Sequence, residues 1–119
     1  HIAHVQKINA YTREKLSAIP DIAVNSPEDA YPFILNFSCL CIGSEIMLNA
    51  LDAKGICVSA QSTCNSKGKA ISHVLLAMGK DELHATHAVR LSFSHLTSIE
   101  EIDYFIKSLK EIIEEYATR

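Results

Sequence analysis

The sequence predicts an α+β fold in which three or four short strands form a small antiparallel or mixed sheet with helices packed on one face. Three observations support this prediction. Both ends carry amphipathic helical patterns, "FILNFSCL" and "AVRLSFS" have the composition or alternation of strands, and helical and strand segments follow one another along the chain. With 119 residues, 48% of them hydrophobic, the chain suffices for one modest core.

The first predicted element is a helix that begins at the first residues of the chain, with no N-cap residue before it. Pro20 stops the helical pattern, but no capping residue precedes it and the chain starts at His1. We therefore expect residues 1–119 to be a single domain of a longer protein, with residues 1–18 as an inter-domain helix. The residues at helical spacing are Val5, Ile8, Thr12 and Leu16.

The next segments alternate between extended and helical patterns. "DIAVNSPEDAYP" predicts a short extended piece and a turn, and "FILNFSCL" predicts a strand. "GSEIMLNALDAKG" predicts a helix capped by Ser44 and closed by Gly55. Its expected apolar stripe consists of Ile46, Met47, Ala50 and Leu51.

The second half is predicted to contain a strand "ICVSA", a polar loop over 59–70, a short helix "ISHVLLAMG", the strand "AVRLSFS" and a long final helix. Thr97 and Glu100 have the spacing of a capping box at the start of that helix. Its expected apolar face consists of Ile99, Ile102, Phe105, Ile106, Leu109, Ile112, Ile113 and Tyr116.

Composition excludes several classes of function. The net charge is −3 and the basic residues form no stripe, so no nucleic-acid interface is expected. The apolar runs are too short to cross a bilayer, and no signal-peptide pattern is present. Four cysteines in an otherwise ordinary composition fit a reducing compartment, which predicts a cytoplasmic protein.

Two of the cysteines, Cys39 and Cys41, lie in the apolar segment "FILNFSCLCIG", which we interpret here as extended. Side chains two apart on a strand share a face, so both are expected to be small buried residues. A zinc site that adds Cys57 is the alternative, but the usual C-x2-C pairs are missing. No metal site is therefore predicted.

Cys64 differs because its neighbours on both sides are polar. A thiolate is the nucleophilic form of cysteine, and Lys67, Lys69 and the amides opening the next helix are candidates for lowering its pKa. The residues alone leave two interpretations open. Cys64 is either an incidental exposed thiol or a nucleophile on a mobile loop.

Arg90 lies on the polar side of its predicted strand, between apolar neighbours. A guanidinium in that position can bind a carboxylate through two parallel hydrogen bonds. The alternative is a surface arginine paired with an acid. His84 and His87 share helical spacing but have no third ligand at a clear spacing, which indicates partly solvated structural histidines.

Several motifs in succession resemble one enzyme family. "GICVSAQSTCNSKGKAISHVLLAMG" and "AVRLSFSHLTSIEEIDYFIKSL", preceded by "FILNFSCLCIGSEIMLNALDAKGI", are similar to the C-terminal small domain of cysteine desulfurases dependent on pyridoxal phosphate. These enzymes belong to the class V aminotransferases of fold type I. The resemblance extends over nearly the whole chain, and the order of the motifs makes it specific.

The resemblance implies a role for each candidate residue. Cys64 matches the loop cysteine that takes sulfur from L-cysteine as a persulfide, and Arg90 matches the arginine that binds the substrate carboxylate. The resemblance further implies L-alanine as the product and a homodimeric intact enzyme. It also implies a sulfur-acceptor protein as partner, as in iron–sulfur cluster, thio-cofactor or tRNA thiolation pathways. Pyridoxal phosphate would be bound by a large domain of the same chain.

The sequence also departs from the family pattern. Gln61 stands where the family has glycine, and Ser94 and His95 stand in place of a Gly-Arg pair. No lysine here lies in a motif similar to the family's cofactor-lysine segment, so this stretch alone is expected to bind no cofactor and to be inactive. A selenocysteine lyase, another class V relative, or a non-catalytic interaction or sulfur-carrier module are the alternative functions.

Overall fold

The computed structural model describes residues 2–27, 31–56, 58 and 86–117. In this part of the chain, three strands form one antiparallel sheet in the order β1-β2-β3, and three helices accompany it. This arrangement confirms the predicted α+β fold. The elements are α1 Ile2–Ser17, β1 Ile22–Val24, β2 Ile34–Cys39, α2 Ser44–Ala53, β3 Ala88–Ser92 and α3 Ile99–Ala117.

Helix α1 buries the side that the apolar spacing predicted. Val5, Ile8 and Leu16 are fully buried, and Thr12 lies among them. The Thr12 hydroxyl donates a hydrogen bond to the Ile8 carbonyl at 2.7 Å, so this polar group is satisfied inside the helix. The helix ends at Ser17, ahead of Pro20, as expected for a proline that cannot continue it.

Strand β2 is the centre of the sheet and pairs with β1 on one side and β3 on the other. Leu35 lies opposite Leu91, and Phe37 lies opposite Val89. These four side chains are buried and form the sheet's contribution to the core. The intervening residues Asn36 and Ser38 are buried on the other face, so β2 is covered on both sides.

Helix α2 corrects two predictions about its residues. Gly43, not Ser44, is the N-cap, and the Ser44 hydroxyl instead donates to the Thr86 carbonyl at 2.7 Å. Met47 and Leu51 are fully buried, whereas Ile46 is 48% exposed and lies outside the apolar stripe. Ala50 is partly buried against the core, so the apolar stripe is narrower than predicted.

The end of α2 is as predicted. Gly55 follows the last helical turn with a φ of 81°, in the left-handed region that glycine adopts without a steric penalty. Its amide donates to the Asp52 carbonyl at 2.9 Å. Beyond it, Ile56 and Val58 are not part of a strand, and the rest of the predicted strand "ICVSA" lies outside the described residues. The loop 59–70 and the helix "ISHVLLAMG" lie outside them as well.

Strand β3 alternates as the sequence predicted. Val89 and Leu91 are buried, followed by Phe93 just after the strand, while Ser92 and Ser94 are exposed. The Phe93 amide donates to the Phe33 carbonyl at 2.8 Å, which extends the pairing with the β2 side beyond the strand ends.

The capping box of α3 lies one residue later than predicted. The Ser98 hydroxyl accepts the Glu101 amide hydrogen at 3.2 Å, and the Glu101 carboxylate accepts the Ser98 amide hydrogen at 2.9 Å. The Thr97 hydroxyl instead accepts the Ser94 amide hydrogen at 2.9 Å and closes the preceding turn. Both Thr97/Glu100 and Ser98/Glu101 have the required spacing, so only the position of the first helical turn distinguishes them.

The core lies between the apolar face of the sheet and the three helices. The ring of Phe37 on β2 contacts the ring of Phe105 on α3 edge to face, with centroids 5.9 Å apart. Within the described residues, no helix is long and apolar enough to cross a membrane. The predicted α3 face is largely confirmed, its buried members being Ile102, Phe105, Ile106, Leu109 and Ile112.

Replacing Glu101 with alanine tests the corrected capping box. We expect Glu101→Ala to lower the free energy of unfolding by about 1 kcal/mol, because the Ser98 amide loses its acceptor. Glu100→Ala is the matched control, since Glu100 is also acidic and in the first turn but carries neither of these bonds. Urea unfolding followed by circular dichroism measures the free energy of unfolding of both variants. An equal loss in the two would mean that the negative charge near the helix N-terminus, and not the capping box, accounts for the effect.

Candidate active site on the polar face of the sheet

Of the two residues predicted to carry chemistry, Arg90 lies in the described part of the chain and Cys64 lies outside it. Arg90 is the third residue of β3 and is half-buried. Its neighbours Val89 and Leu91 point into the core, so the Arg90 side chain projects from the opposite face of the sheet, as the alternation predicted.

The side chains around Arg90 form a polar face on the sheet, defined here as Asn25, Asn36, Ser38 and Arg90. Asn36 on β2 lies directly opposite Arg90 on β3 in the antiparallel register. Ser38 is two residues further along β2 on the same face, and Asn25 follows the end of β1. Asn25, Asn36 and Ser38 are all buried.

Hydrogen bonds fix the orientation of the Asn36 carboxamide. The Asn25 side-chain nitrogen Nδ2 donates to Asn36 Oδ1 and to Ser38 Oγ, both at 2.8 Å. The backbone amide of Asn25 donates to the Asn36 carbonyl at 2.8 Å, and the Asn36 amide donates to the Ser26 hydroxyl at 2.8 Å. With its Oδ1 engaged by Asn25, Asn36 presents its own Nδ2 donor away from β1.

Two donors on the polar face are buried and have no acceptor. Among the residues that the structure describes, the Nε of Arg90 and the Nδ2 of Asn36 find no hydrogen-bond partner, although Asn36 is only 6% exposed. A buried donor without a partner costs about 1–3 kcal/mol. Because both groups donate and belong to directly opposed residues, an acceptor anion such as a carboxylate is the chemical group that this site fits. The Asn25 Oδ1 is also buried without a donor.

Arg13 on α1 provides the contrast within the same chain. Its Nε donates to Asn9 Oδ1 at 2.7 Å, and its two terminal nitrogens donate to the carbonyls of Ser26 at 2.7 Å and Pro27 at 2.6 Å. This guanidinium is satisfied by the protein itself and anchors the turn after β1 to α1. Arg13 is therefore a structural arginine, whereas Arg90 has a donor that awaits an acceptor.

Asn25 and Asn36 were not singled out from the sequence. The signal available was the alternation of Asn36 and Ser38 with Leu35 and Phe37, which places two polar residues on one face of a strand. Asn36 becomes a candidate site residue only because the cross-strand register places it directly opposite Arg90. Register depends on the pairing of segments more than fifty residues apart, and no local pattern reports it.

The prediction for the paired cysteines is half correct. Cys39 is fully buried at the end of β2, as expected, but Cys41 is exposed because the strand ends and a turn begins after Cys39. Across the residues that the structure describes, no group of three or more His, Cys, Asp or Glu side chains is arranged to hold a metal ion.

His87 is half-buried and its Nδ1 lies 3.0 Å from the Thr86 hydroxyl, while His84 lies outside the described residues.

The described residues do not fit a pyridoxal phosphate site. A lysine that forms a Schiff base is kept in a desolvated pocket, which lowers its pKa. None of the lysines in the described ranges is buried, and Lys54 is engaged with Glu111 at 3.3 Å. What this part of the chain offers at Arg90 and Asn36 is a pair of buried donors, not a lysine suited to the cofactor. The other described lysines are Lys7, Lys15, Lys107 and Lys110.

Comparison with known proteins identifies the family. The class-V aminotransferase family model matches residues 1–105, and the chain therefore belongs to this family. In solved structures, the chain is similar to a NifS-like protein with a TM-score of 0.81 and 29% identity over 94% of this chain. A NifS-like protein from Rickettsia africae is similar with a TM-score of 0.79 and 26% identity.

Curated relatives are named as cysteine desulfurases. The chain is 32% identical over 93% of its length to the mitochondrial cysteine desulfurase of Candida albicans, of which it covers 23%. It is 37% identical over 82% of its length to the cysteine desulfurase IscS of Clostridium botulinum strain Hall, of which it covers 25%. The chain thus spans about a quarter of the length of these relatives.

The two arginines are expected to differ in their effect on stability. Arg13→Leu should lower the free energy of unfolding by about 2–4 kcal/mol, because it removes three charge-assisted hydrogen bonds and leaves two carbonyls without a donor. Arg90→Leu should change it by less than about 1 kcal/mol or raise it, because it removes a buried donor that has no partner. Urea unfolding of the two variants compares them directly, and a larger loss for Arg90→Leu would refute the assignment of an unpartnered donor.

Proposed function

We propose that residues 1–119 are the C-terminal small domain of a cysteine desulfurase dependent on pyridoxal phosphate, which takes sulfur from L-cysteine and leaves L-alanine. Residues 1–18 then form the helix leading from the large domain, and residues 59–70 form the loop carrying the catalytic Cys64. Membership of the class-V aminotransferase family and similarity to enzymes named as cysteine desulfurases support this proposal.

The single observation in the structure that carries the proposal is the pair of unpartnered donors on Arg90 and Asn36. An amino-acid substrate brings an α-carboxylate, which is an acceptor with two oxygens. Arg90 supplies a planar guanidinium, and Asn36 supplies an amide held in place by Asn25. The domain therefore keeps buried donors unsatisfied until a carboxylate arrives, which is the behaviour of a binding site rather than of a structural contact.

The chemical step proposed for Cys64 balances without a further reactant. The Cys64 thiolate attacks the sulfur of L-cysteine, the carbon–sulfur bond breaks, and the electron pair of that bond stays with the substrate carbon. Protonation of that carbon gives L-alanine, and Cys64 carries the transferred sulfur as a persulfide. A soft nucleophile on a polar loop suits this role, since the same sulfur must then reach an acceptor.

The contribution of this chain to substrate binding is orientation. Arg90 and Asn36 hold the carboxylate and so restrict the positions that the rest of the substrate can take. Lysine is not equivalent to arginine here, because an ammonium lacks the planar donor pair. Ser94 and His95, which replace a Gly-Arg pair of the family pattern, follow the same strand and leave Arg90 as the sole arginine of that motif.

Pyridoxal phosphate is proposed to be held by a large domain outside residues 1–119, in keeping with the described ranges, in which no lysine is buried. When bound, it would withdraw electrons from the substrate carbons. A homodimeric intact enzyme, a sulfur-acceptor protein as partner and a cytoplasmic location complete the proposal; relatives named as mitochondrial are known as well.

Cys64→Ser in the complete protein tests the proposed nucleophile. We expect sulfide release from L-cysteine under a thiol reductant to fall by at least about 100-fold, because an alcohol does not accept sulfur as a thiolate does. The absorbance of the bound cofactor should stay unchanged. Cys57→Ser is the matched control, seven residues away, and should keep its activity. Sulfide release at an unchanged rate from Cys64→Ser would overturn the proposal.

Arg90→Leu tests the carboxylate site by substrate comparison. We expect kcat/KM for L-cysteine to fall by about 10- to 100-fold, the loss that corresponds to a hydrogen bond with a charged group. L-cysteine methyl ester has no anionic carboxylate, so its kcat/KM should change little and the preference for the acid should disappear. Asn36→Ala should show the same pattern to a smaller degree. An equal loss for acid and ester would mean that Arg90 does not contact the carboxylate.

A further inference from the structure

The turn that follows β2 brings two thiols together. Cys39 is the last residue of β2, and the Ile42 amide donates to the Cys39 carbonyl at 3.2 Å, which closes a turn over residues 39–42. The Leu40 amide donates to the Asp21 carbonyl at 2.8 Å and ties the turn to the start of β1. In this turn the sulfur atoms of Cys39 and Cys41 lie 3.5 Å apart.

The two thiols differ in their access to solvent. Cys41 is exposed, so a reagent in solution can reach it, whereas Cys39 has no exposed surface. Burial, followed by the hydrogen bond with Cys41, raises the pKa of the Cys39 thiol to about 12. Cys39 therefore stays protonated and unreactive towards reagents in solution, and Cys41 is the thiol that reacts first.

We propose that Cys39 and Cys41 form a redox-active dithiol whose substrate is a low-molecular-weight disulfide of the glutathione class. Nothing in the sulfur-transfer reaction requires this pair, and the proposal stands on the geometry of the turn independently of the proposed function. Cys41 is the attacking thiol and Cys39 the resolving thiol.

The exchange proceeds in two balanced steps. The Cys41 thiolate attacks one sulfur of the small disulfide, forms a mixed disulfide and expels one small thiol. Cys39 then attacks the Cys41 sulfur, and its proton passes to the departing sulfur, so that the second small thiol leaves and a bond remains between Cys39 and Cys41. The protein loses two hydrogens and the small disulfide is reduced to two thiols, so no other oxidant is needed.

The geometry favours ring closure over a stable mixed disulfide. A disulfide bond is about 2.05 Å long, so the two sulfurs have only about 1.5 Å to travel. The turn already holds them on the same side, and the second attack is intramolecular. A structural zinc site is the other use of such a pair, but it takes four ligands, and no third ligand accompanies the two thiols in the ranges that the structure describes.

The position of the dithiol links it to the polar face. Ser38 precedes Cys39 and pairs with Ala88, two residues before Arg90 on β3. The buried Ser38 hydroxyl accepts the hydrogen bond from Asn25 that helps to orient Asn36. Closure of the Cys39–Cys41 bond therefore acts on the strand end that carries this network, within a few residues of the proposed carboxylate site.

Peptide mapping of the complete protein tests the proposal without any mutation. The protein is incubated with oxidised glutathione, quenched with iodoacetamide under denaturing conditions and digested with trypsin. Cleavage after Lys15 and Lys54 gives a peptide, 16–54, with Cys39 and Cys41 as its two cysteines, while Cys57 and Cys64 fall in the peptide 55–67. We expect 16–54 to be two hydrogens lighter and free of both alkyl groups and glutathione.

Unfolded protein and two variants provide the controls. In urea the closure should be at least about tenfold slower relative to formation of mixed disulfides, because the turn no longer holds the sulfurs together. Cys39→Ser should stop at a glutathione adduct on Cys41, and Cys41→Ser should leave Cys39 reduced. The proposal is overturned if the native protein keeps glutathione on Cys41, or if 16–54 becomes linked to 55–67 instead.

Discussion

The pairing of β2 with a strand on each side is the interaction on which the rest of the structure depends. β2 is buried on both faces, so each of its side chains is placed either against the helices or on the polar face. Leu35 and Phe37 belong to the core, and Asn36 between them faces the polar side, where Asn25 binds its Oδ1. A shift of the β2–β3 register by one residue would exchange these two sets, so core packing and the site depend on the same register.

Two arginines of this chain, Arg13 and Arg90, have different surroundings. Each of the three guanidinium nitrogens of Arg13 donates to a protein acceptor, and these bonds join α1 to the turn after β1. Arg90 lies beside an asparagine whose own donor is also unpartnered. An unsatisfied buried donor is unfavourable in the free domain, and it is retained at positions where a ligand supplies the acceptor. The difference in hydrogen bonding between Arg13 and Arg90 is stronger support for the proposed carboxylate site than the position of Arg90 alone.

Local patterns predicted most of the elements but not the details at their ends. The three helices and three strands of the described ranges lie where periodicity placed them, since burial of an apolar face produces periods of 3.6 and two. The errors concern single residues. The capping box begins at Ser98 rather than Thr97, Ser44 donates to Thr86 instead of capping, and Cys41 lies in a turn rather than in β2. Each depends on where the chain turns, which distant contacts decide.

By itself the sequence determined the fold class, the apolar faces of α1, β3 and α3, and the placement of Arg90 on the polar side of its strand. These properties follow from the order of apolar and polar residues along short segments. Tertiary structure alone decided that Asn36 faces Arg90 and that Asn25 orients it. It also decided that Cys39 and Cys41 meet across a turn. The reason is that cross-strand register and turn position result from packing between segments far apart in the chain, and this packing leaves no local pattern.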